Sequence, residues 1–305
     1  MIPMGVSNFG GVWVAAVAPR RDNGHEIDLA ASLDVIDFID GTPASGISVL
    51  GSTGEFIHHD FEDRQRYLQF VLKRARKPVL PGVAHSNIDG ALRLAETAMD
   101  GGAAGALLMP PYYFRYGAEE LRRFYLTFAD EFDGPIYLYN IPFFSSPLPI
   151  ELATELLATG RFAGIKDSSG QSAYCRQLLA ARQSQPCTII IGNDCMFTEG
   201  RRAGADGVIS GVAGAWPELM CGLEHAIGAG EDERVAALQA LLEECISWLD
   251  RYPVPTALKR ALHLRGLRMG PDAVPMGDRF APFDAWCPGF LERVQETSRL
   301  RFQTV

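Results

Sequence analysis

Short apolar runs rich in β-branched residues alternate along this chain with longer stretches whose apolar positions recur every three or four residues. The short runs predict strands over 12–17, 47–50, 79–83, 106–109, 136–139, 163–166, 188–191 and 207–210. The periodic stretches predict helices over 28–40, 62–76, 89–100, 118–130, 150–157, 172–182 and 194–203. In the fourth of these, Leu121, Phe124, Tyr125 and Phe128 fall at i, i+3, i+4 and i+7, one face of a helix. Strand and helix repeat evenly about eight times, as a (β/α)8 TIM barrel requires. A doubly wound open sheet is the alternative, but no G-x-G-x-x-G follows the first strand. Past Trp216 the strand signal stops, and 231–249, 255–265 and 289–300 read as helices. They are separated by Tyr252-Pro-Val-Pro255 and the Pro/Gly-rich stretch 270–289. The reading is therefore an α/β barrel over 1–228 and a C-terminal helical extension over 229–305.

Composition narrows the function. The chain has 305 residues, 47% of them hydrophobic, enough for a substantial core. A formal net charge of −9 and the lack of any Lys/Arg run argue against a nucleic-acid partner. Cysteines 175, 187, 195, 221, 245 and 287 show no C-x-x-C or zinc-ligand spacing and read as reduced thiols, implying a cytoplasmic protein. Residues 1–9 carry neither a basic segment nor a long apolar run, so neither a secretory leader nor a membrane span is expected. His58-His59-Asp60 has the look of a metal cluster, but adjacent side chains point apart and no metal is expected there.

The chemistry is concentrated at predicted strand ends. Of four lysines, Lys166 alone ends an apolar run, whereas Lys73, Lys77 and Lys259 lie in charged helical stretches suited to solvated side chains. Gly51-Ser-Thr-Gly-Glu55 follows the second strand and Pro110-Pro-Tyr-Tyr113 the fourth. Tyr139-Asn-Ile-Pro142 ends the fifth, Gly192-Asn-Asp194 the seventh, and Gly207-Val-Ile-Ser-Gly211 forms the eighth. In a barrel these segments converge on the C-terminal rim, where active sites of that fold lie. Each motif also has a bland reading, as a glycine turn, a core aromatic or a paired strand-end lysine. Together they suit imine catalysis. A neutral amine attacks a ketone, and the protonated imine then draws electrons from the carbon–carbon bond one atom further out. A tyrosine serves as acid/base on the hydroxyl that becomes an aldehyde, and a hydroxyl-bearing glycine turn holds a carboxylate.

At these residues the chain resembles the dihydrodipicolinate synthase / N-acetylneuraminate lyase family of class I Schiff-base lyases. The resemblance rests on 51–55, 110–113, 139–142, GIKDSSG (164–170), 192–194, GVISGVAG (207–214) and YPVPTALKRAL (252–262). It implies a (β/α)8 barrel with a helical tail, assembled as a homotetramer, a dimer of dimers. It implies an imine between Lys166 and pyruvate or another 2-oxo acid, with no separate cofactor. Tyr139 is then the acid/base, Ser52 a relay hydroxyl, and Thr53 with Gly51 the carboxylate site. Tyr113 matches a relay tyrosine that crosses a subunit interface in the synthases, and Ile209 a backbone position facing pyruvate.

Two departures bear on specificity. Phe144 stands where the synthases carry an arginine that grips the carboxylate of the second substrate, and Ala18-Pro-Arg20 replaces the usual Thr-Pro-Phe. Losing a bidentate charge-assisted contact forfeits roughly 1.5–3 kcal/mol, a factor of ten or more. The sequence therefore favours an aldolase splitting a 2-oxo acid, a 2-keto-3-deoxy sugar acid above others, into pyruvate and an uncharged aldehyde. The alternative is the condensing synthase that joins pyruvate to aspartate semialdehyde, with Arg20 or Arg115 replacing the lost arginine. An imine-dependent dehydratase and a catalytically silent paralogue are further readings. Joint retention of Lys166, Tyr139 and Ser52 speaks against the silent one.

Overall fold

The computed structural model describes residues 9–24, 26–183 and 185–302. The leader reading of the first residues therefore falls largely on 1–8, outside the described residues. Among the described residues seven parallel strands are formed: β1 (Gly11–Ala15), β2 (Gly46–Ser48), β3 (Ala106–Leu108), β4 (Ile136–Asn140), β5 (Gly164–Asp167), β6 (Thr188–Ile191) and β7 (Gly207–Ser210). The described residues divide into two compact units, one built from 78–209 with Phe9 and Gly10, the other from 11–77 and 210–302.

In the first unit, β3 to β7 run side by side in parallel, with Leu108 opposite Leu138, Leu138 opposite Ile165, Lys166 opposite Ile190, and Ile190 opposite Gly207. Helices Ala118–Glu131, Ile150–Ala158 and Ser172–Ala181 follow β3, β4 and β5. Their buried faces, such as Leu121, Tyr125 and Phe128, are those the periodicity predicts. The run at 79–83 is not a full strand but a single bridge, Gly82 to Leu107. Its carbonyls at Val79 and Pro81 accept from Ala104 and Leu107, and Val83 N donates to Leu107 O. Pro78 and Pro81 have no N–H to give, so the segment runs alongside β3 without a full ladder.

In the second unit, β1 and β2 pair in parallel through Trp13 and Gly46. β2 stops early because Leu50 turns into left-handed backbone, φ +56°, just before Gly51. Helices Leu29–Asp40, Phe61–Arg74, Pro217–Ala229, Asp232–Leu249, Thr256–Leu264 and Ala281–Ser298 belong to this unit. Asp28 caps the first, accepting from the N–H groups of Ala30 and Ala31. The last helix begins well before the expected 289, and Pro288 lies inside it. Aromatic packing outweighs the proline: Trp286 stacks on Trp248 (4.9 Å between centroids) and on Phe290 (4.5 Å).

A second correction concerns Lys259, expected in solvent. It is only 2% exposed, and its ammonium lies 3.0 Å from Glu55. The helix Thr256–Leu264 turns Thr256, Lys259 and Leu262 to its buried side, a placement that composition of the stretch does not reveal.

Nearby, His59 is buried while His58 faces solvent, so the adjacent pair does point apart. Burial, aided by Arg20, Lys259, His58 and Arg64, pushes His59 down to about 3. Its contribution to stability is complete above the ordinary histidine range. It is lost as pH falls toward 3, because the unfolded chain takes up a proton that the folded one refuses. Each pH unit in that window costs about 1.4 kcal/mol. Thermal melts should therefore fall more steeply below about pH 6 for the native protein than for His59→Gln; equal slopes would clear His59 of this role.

Candidate active site

β4 and β5 lie in register so that Tyr139 is opposite Lys166 and Asn140 opposite Asp167. Opposed residues in a parallel ladder project from the same side of the sheet, and successive residues alternate. Tyr139 and Lys166 consequently share one side, Asn140 and Asp167 the other. Lys166 Nζ donates to the Tyr139 hydroxyl at 3.2 Å and sits 4.2 Å from the centre of the tyrosine ring. Lys166 is 5% exposed and Tyr139 3%. An amine and a phenol so enclosed can exchange a proton with little competition from bulk water.

Glycine 192, at the exit of β6, is required by the lysine. A Cβ there would lie 2.7 Å from Lys166 Cε and 3.0 Å from Cγ, and would collide with Ser168 Oγ. Any side chain at 192 displaces the amine. Ser168 Oγ is itself buried, without a hydrogen-bond partner among the described residues. It borders the lysine stem, and the sequence reading passed over it. The signal was present in the hydroxyl run after Lys166.

On the other side, Asn140 Nδ2 donates to Asp167 Oδ1 at 2.7 Å and Asn140 Oδ1 accepts from Leu148 N at 3.1 Å. Asp167 also accepts from Ser169 N and Ser169 Oγ. Burial raises the Asp167 carboxyl above its ordinary range, offset in part by these donors. The Asn of YNIP and the Asp of GIKDSSG thus tie the two strand ends together, which fixes the spacing of Tyr139 and Lys166.

Ile209 is buried on β7. Tyr113 is not enclosed: it is 87% exposed, in left-handed backbone (φ +81°), with its ring edge-on to Phe114 at 5.0 Å. Phe144, 56% exposed, lies on the turn after β4, where Phe144 N and Ser145 N both donate to Ile141 O. The Arg115 guanidinium donates to the Ser145 carbonyl on that same turn, and Tyr116 N donates to Ser146 Oγ at 2.8 Å. In the other unit, Gly51, Ser52 and Thr53 form a half-buried turn closed by Glu55 N donating to Ser52 O at 3.1 Å. Arg20 is buried there, its guanidinium donating to the Gly24 and His58 carbonyls, while Arg21 pairs with Glu26 at 2.7 Å. Among the described residues no three His, Cys, Asp or Glu side chains are grouped as metal ligands, and no helix is long and apolar enough to cross a membrane.

Comparison with known proteins shows the family and the fold. The model of the dihydrodipicolinate synthetase family matches residues 8–279. A 4-hydroxy-tetrahydrodipicolinate synthase of Methanosphaerula palustris is 32% identical over 276 residues, covering 88% of this chain and 94% of that protein. Among solved structures, the chain is similar to YagE of E. coli K12, a dihydrodipicolinic acid synthase family protein in complex with pyruvate. The TM-score is 0.86 at 24% identity, over 94% of this chain and 99% of that one. It is equally similar to a Ruminococcus gnavus sialic acid aldolase, with TM-score 0.86 and 24% identity over 95% and 98%. These structures establish the fold class as a (β/α)8 TIM barrel with C-terminal helices. The chain belongs to the dihydrodipicolinate synthetase family and is a carbon–carbon lyase of that family's kind.

Proposed function

We propose that this lyase cleaves a 2-oxo acid, a 2-keto-3-deoxy sugar acid in particular, to pyruvate and an uncharged aldehyde through an imine on Lys166. The observation that carries the reading is the buried 3.2 Å contact between Lys166 Nζ and the Tyr139 hydroxyl. The neutral amine attacks C2 of the substrate, and the carbinolamine loses water to give a protonated imine. Tyr139, having given its proton to the water lost from the carbinolamine, takes the proton of the C4 hydroxyl. The C3–C4 bond breaks, its electron pair enters the imine, and the aldehyde leaves. Protonation of the resulting enamine at C3 and hydrolysis of the imine release pyruvate and restore the amine. By motif match, Ser52 relays protons, Thr53 and Gly51 hold the carboxylate, Ile209 presents backbone to it, and Tyr113 completes the relay from a neighbouring subunit of a homotetramer. The covalent imine needs no metal or organic cofactor, and the lyase works in the cytoplasm. Ser168 supports a hydroxylated substrate, since its buried hydroxyl borders the lysine stem and has hydrogen-bonding capacity to offer.

Borohydride reduction with pyruvate and a panel of 2-oxo acids, read by intact mass, tests the imine and ranks the substrates. No adduct with any of them ends the reading.

One observation favours the synthase as a second reading: Arg115 reaches the Phe144–Ser145 turn, bringing a cation beside the position that lacks its arginine. Arg20 is the weaker substitute because its donors are committed to Gly24 and His58. The two readings separate on the aldehyde. An apolar ring at 144 offers no donor to a carboxylate, so glyceraldehyde should condense with pyruvate better than aspartate semialdehyde. Phe144→Arg should move the kcat/KM ratio toward the charged aldehyde by about tenfold or more. Native preference for aspartate semialdehyde would hand the function to the synthase, with Arg115 the first residue to replace.

A further inference from the structure

The ion pair between Glu55 and Lys259 joins residues 204 positions apart. Both side chains are almost wholly buried, and the reaction outlined above uses neither. Glu55 is the last residue of the GSTGE turn. Its backbone is left-handed, φ +51°, a conformation that non-glycine residues adopt at a cost. Its N–H closes the turn onto Ser52 O at 3.1 Å. Gly54 leaves no room for adjustment, since a Cβ there would lie 2.9 Å from Leu50 N and 3.3 Å from Ala16 O. The Glu55 carboxylate receives Lys259 Nζ on Oε2 and faces His58 Nδ1, 3.5 Å from Oε1. Lys259 itself is anchored in the helix Thr256–Leu264, its N–H donating to Pro255 O.

A buried ion pair adds little net stability relative to an apolar pair of the same volume. Its geometric demand is strict, however, because either charge alone in that setting is strongly disfavoured. Here the demand falls on a turn that carries Ser52 and Thr53. We infer that the Glu55–Lys259 pair is a positioning device: the helix Thr256–Leu264 holds the Ser52–Thr53 turn in the conformation that grips the carboxylate of the 2-oxo acid. The inference rests on the assignment of Thr53 to that carboxylate.

The test uses the full chain and pyruvate as probe. Glu55→Gln, Lys259→Met and the double variant are titrated with pyruvate under borohydride, and each is melted thermally. A displaced turn weakens pyruvate binding but leaves Lys166 able to form the imine. The pyruvate concentration for half-maximal trapping should rise by about tenfold or more in every variant, with the plateau unchanged. The single variants lose melting temperature, because each leaves a buried charge unpaired. The double variant regains it, because no charge remains. A purely structural pair behaves otherwise: the double variant would recover wild-type half-saturation together with its melting temperature, and that result overturns the inference. Folded single variants with wild-type half-saturation overturn it as well. Failure of the underlying reading is distinct, because the native protein itself would then give no reduced adduct at any pyruvate concentration.

Discussion

A Lys166→Ala protein should take up no reduced pyruvyl group and should lose turnover by roughly 10⁵-fold or more, as removal of a covalent nucleophile does. The expectation rests on how the four lysines are held. Lys73 is exposed and Lys77 donates to the Thr42 carbonyl at 2.9 Å. Lys259 is as deeply buried as Lys166 but is engaged by a carboxylate. Only Lys166 combines burial with a phenol hydroxyl as its polar neighbour. The measurement is peptide mapping after borohydride with pyruvate, beside a thermal melt showing that the variant is folded. An undiminished adduct in Lys166→Ala, or an adduct on the peptide carrying Lys259, would transfer the chemistry to another amine.

Much of this arrangement is readable from the chain because two periodicities do the work. Alternating strand runs and helical stretches give the order of elements, and the residues that end β4 and β5 follow directly from it. The register that makes Tyr139 the partner of Lys166 is not readable, since it depends on which strands become neighbours. Nor is the role of Asn140 and Asp167, whose mutual hydrogen bond crosses between two strands. The strand expected at 79–83 failed for a reason visible in the sequence: prolines 78 and 81 remove the donors of a ladder. Pro288 misled in the opposite sense, because the stacking of Trp286 with Trp248 and Phe290 that offsets it is tertiary. Lys259 was misplaced for the same cause, as its partner lies 204 residues away in sequence. Local pattern locates elements and their ends, whereas long-range pairing decides which polar residues go inside.

Tyr139→Phe is the sharper test of mechanism, because it separates imine formation from proton transfer. The substitution removes one oxygen and keeps the ring, whose centre lies 4.2 Å from Lys166 Nζ, so the lysine retains its aromatic neighbour. It also leaves the Asn140–Asp167 tie untouched, since those side chains project from the opposite side of the strands. Borohydride trapping with pyruvate should therefore still reach a full plateau. Cleavage and condensation should fall by roughly 10²–10⁴-fold, the usual contribution of a positioned acid/base. That pattern differs in kind from Lys166→Ala, in which adduct and turnover vanish together, and from the Glu55 and Lys259 variants, in which half-saturation rises while the trapping plateau holds. If Tyr139→Phe turns over at the native rate, the proton must travel through another group. Tyr113 would be the next to replace, and its 87% exposure would then require a neighbouring subunit to enclose it.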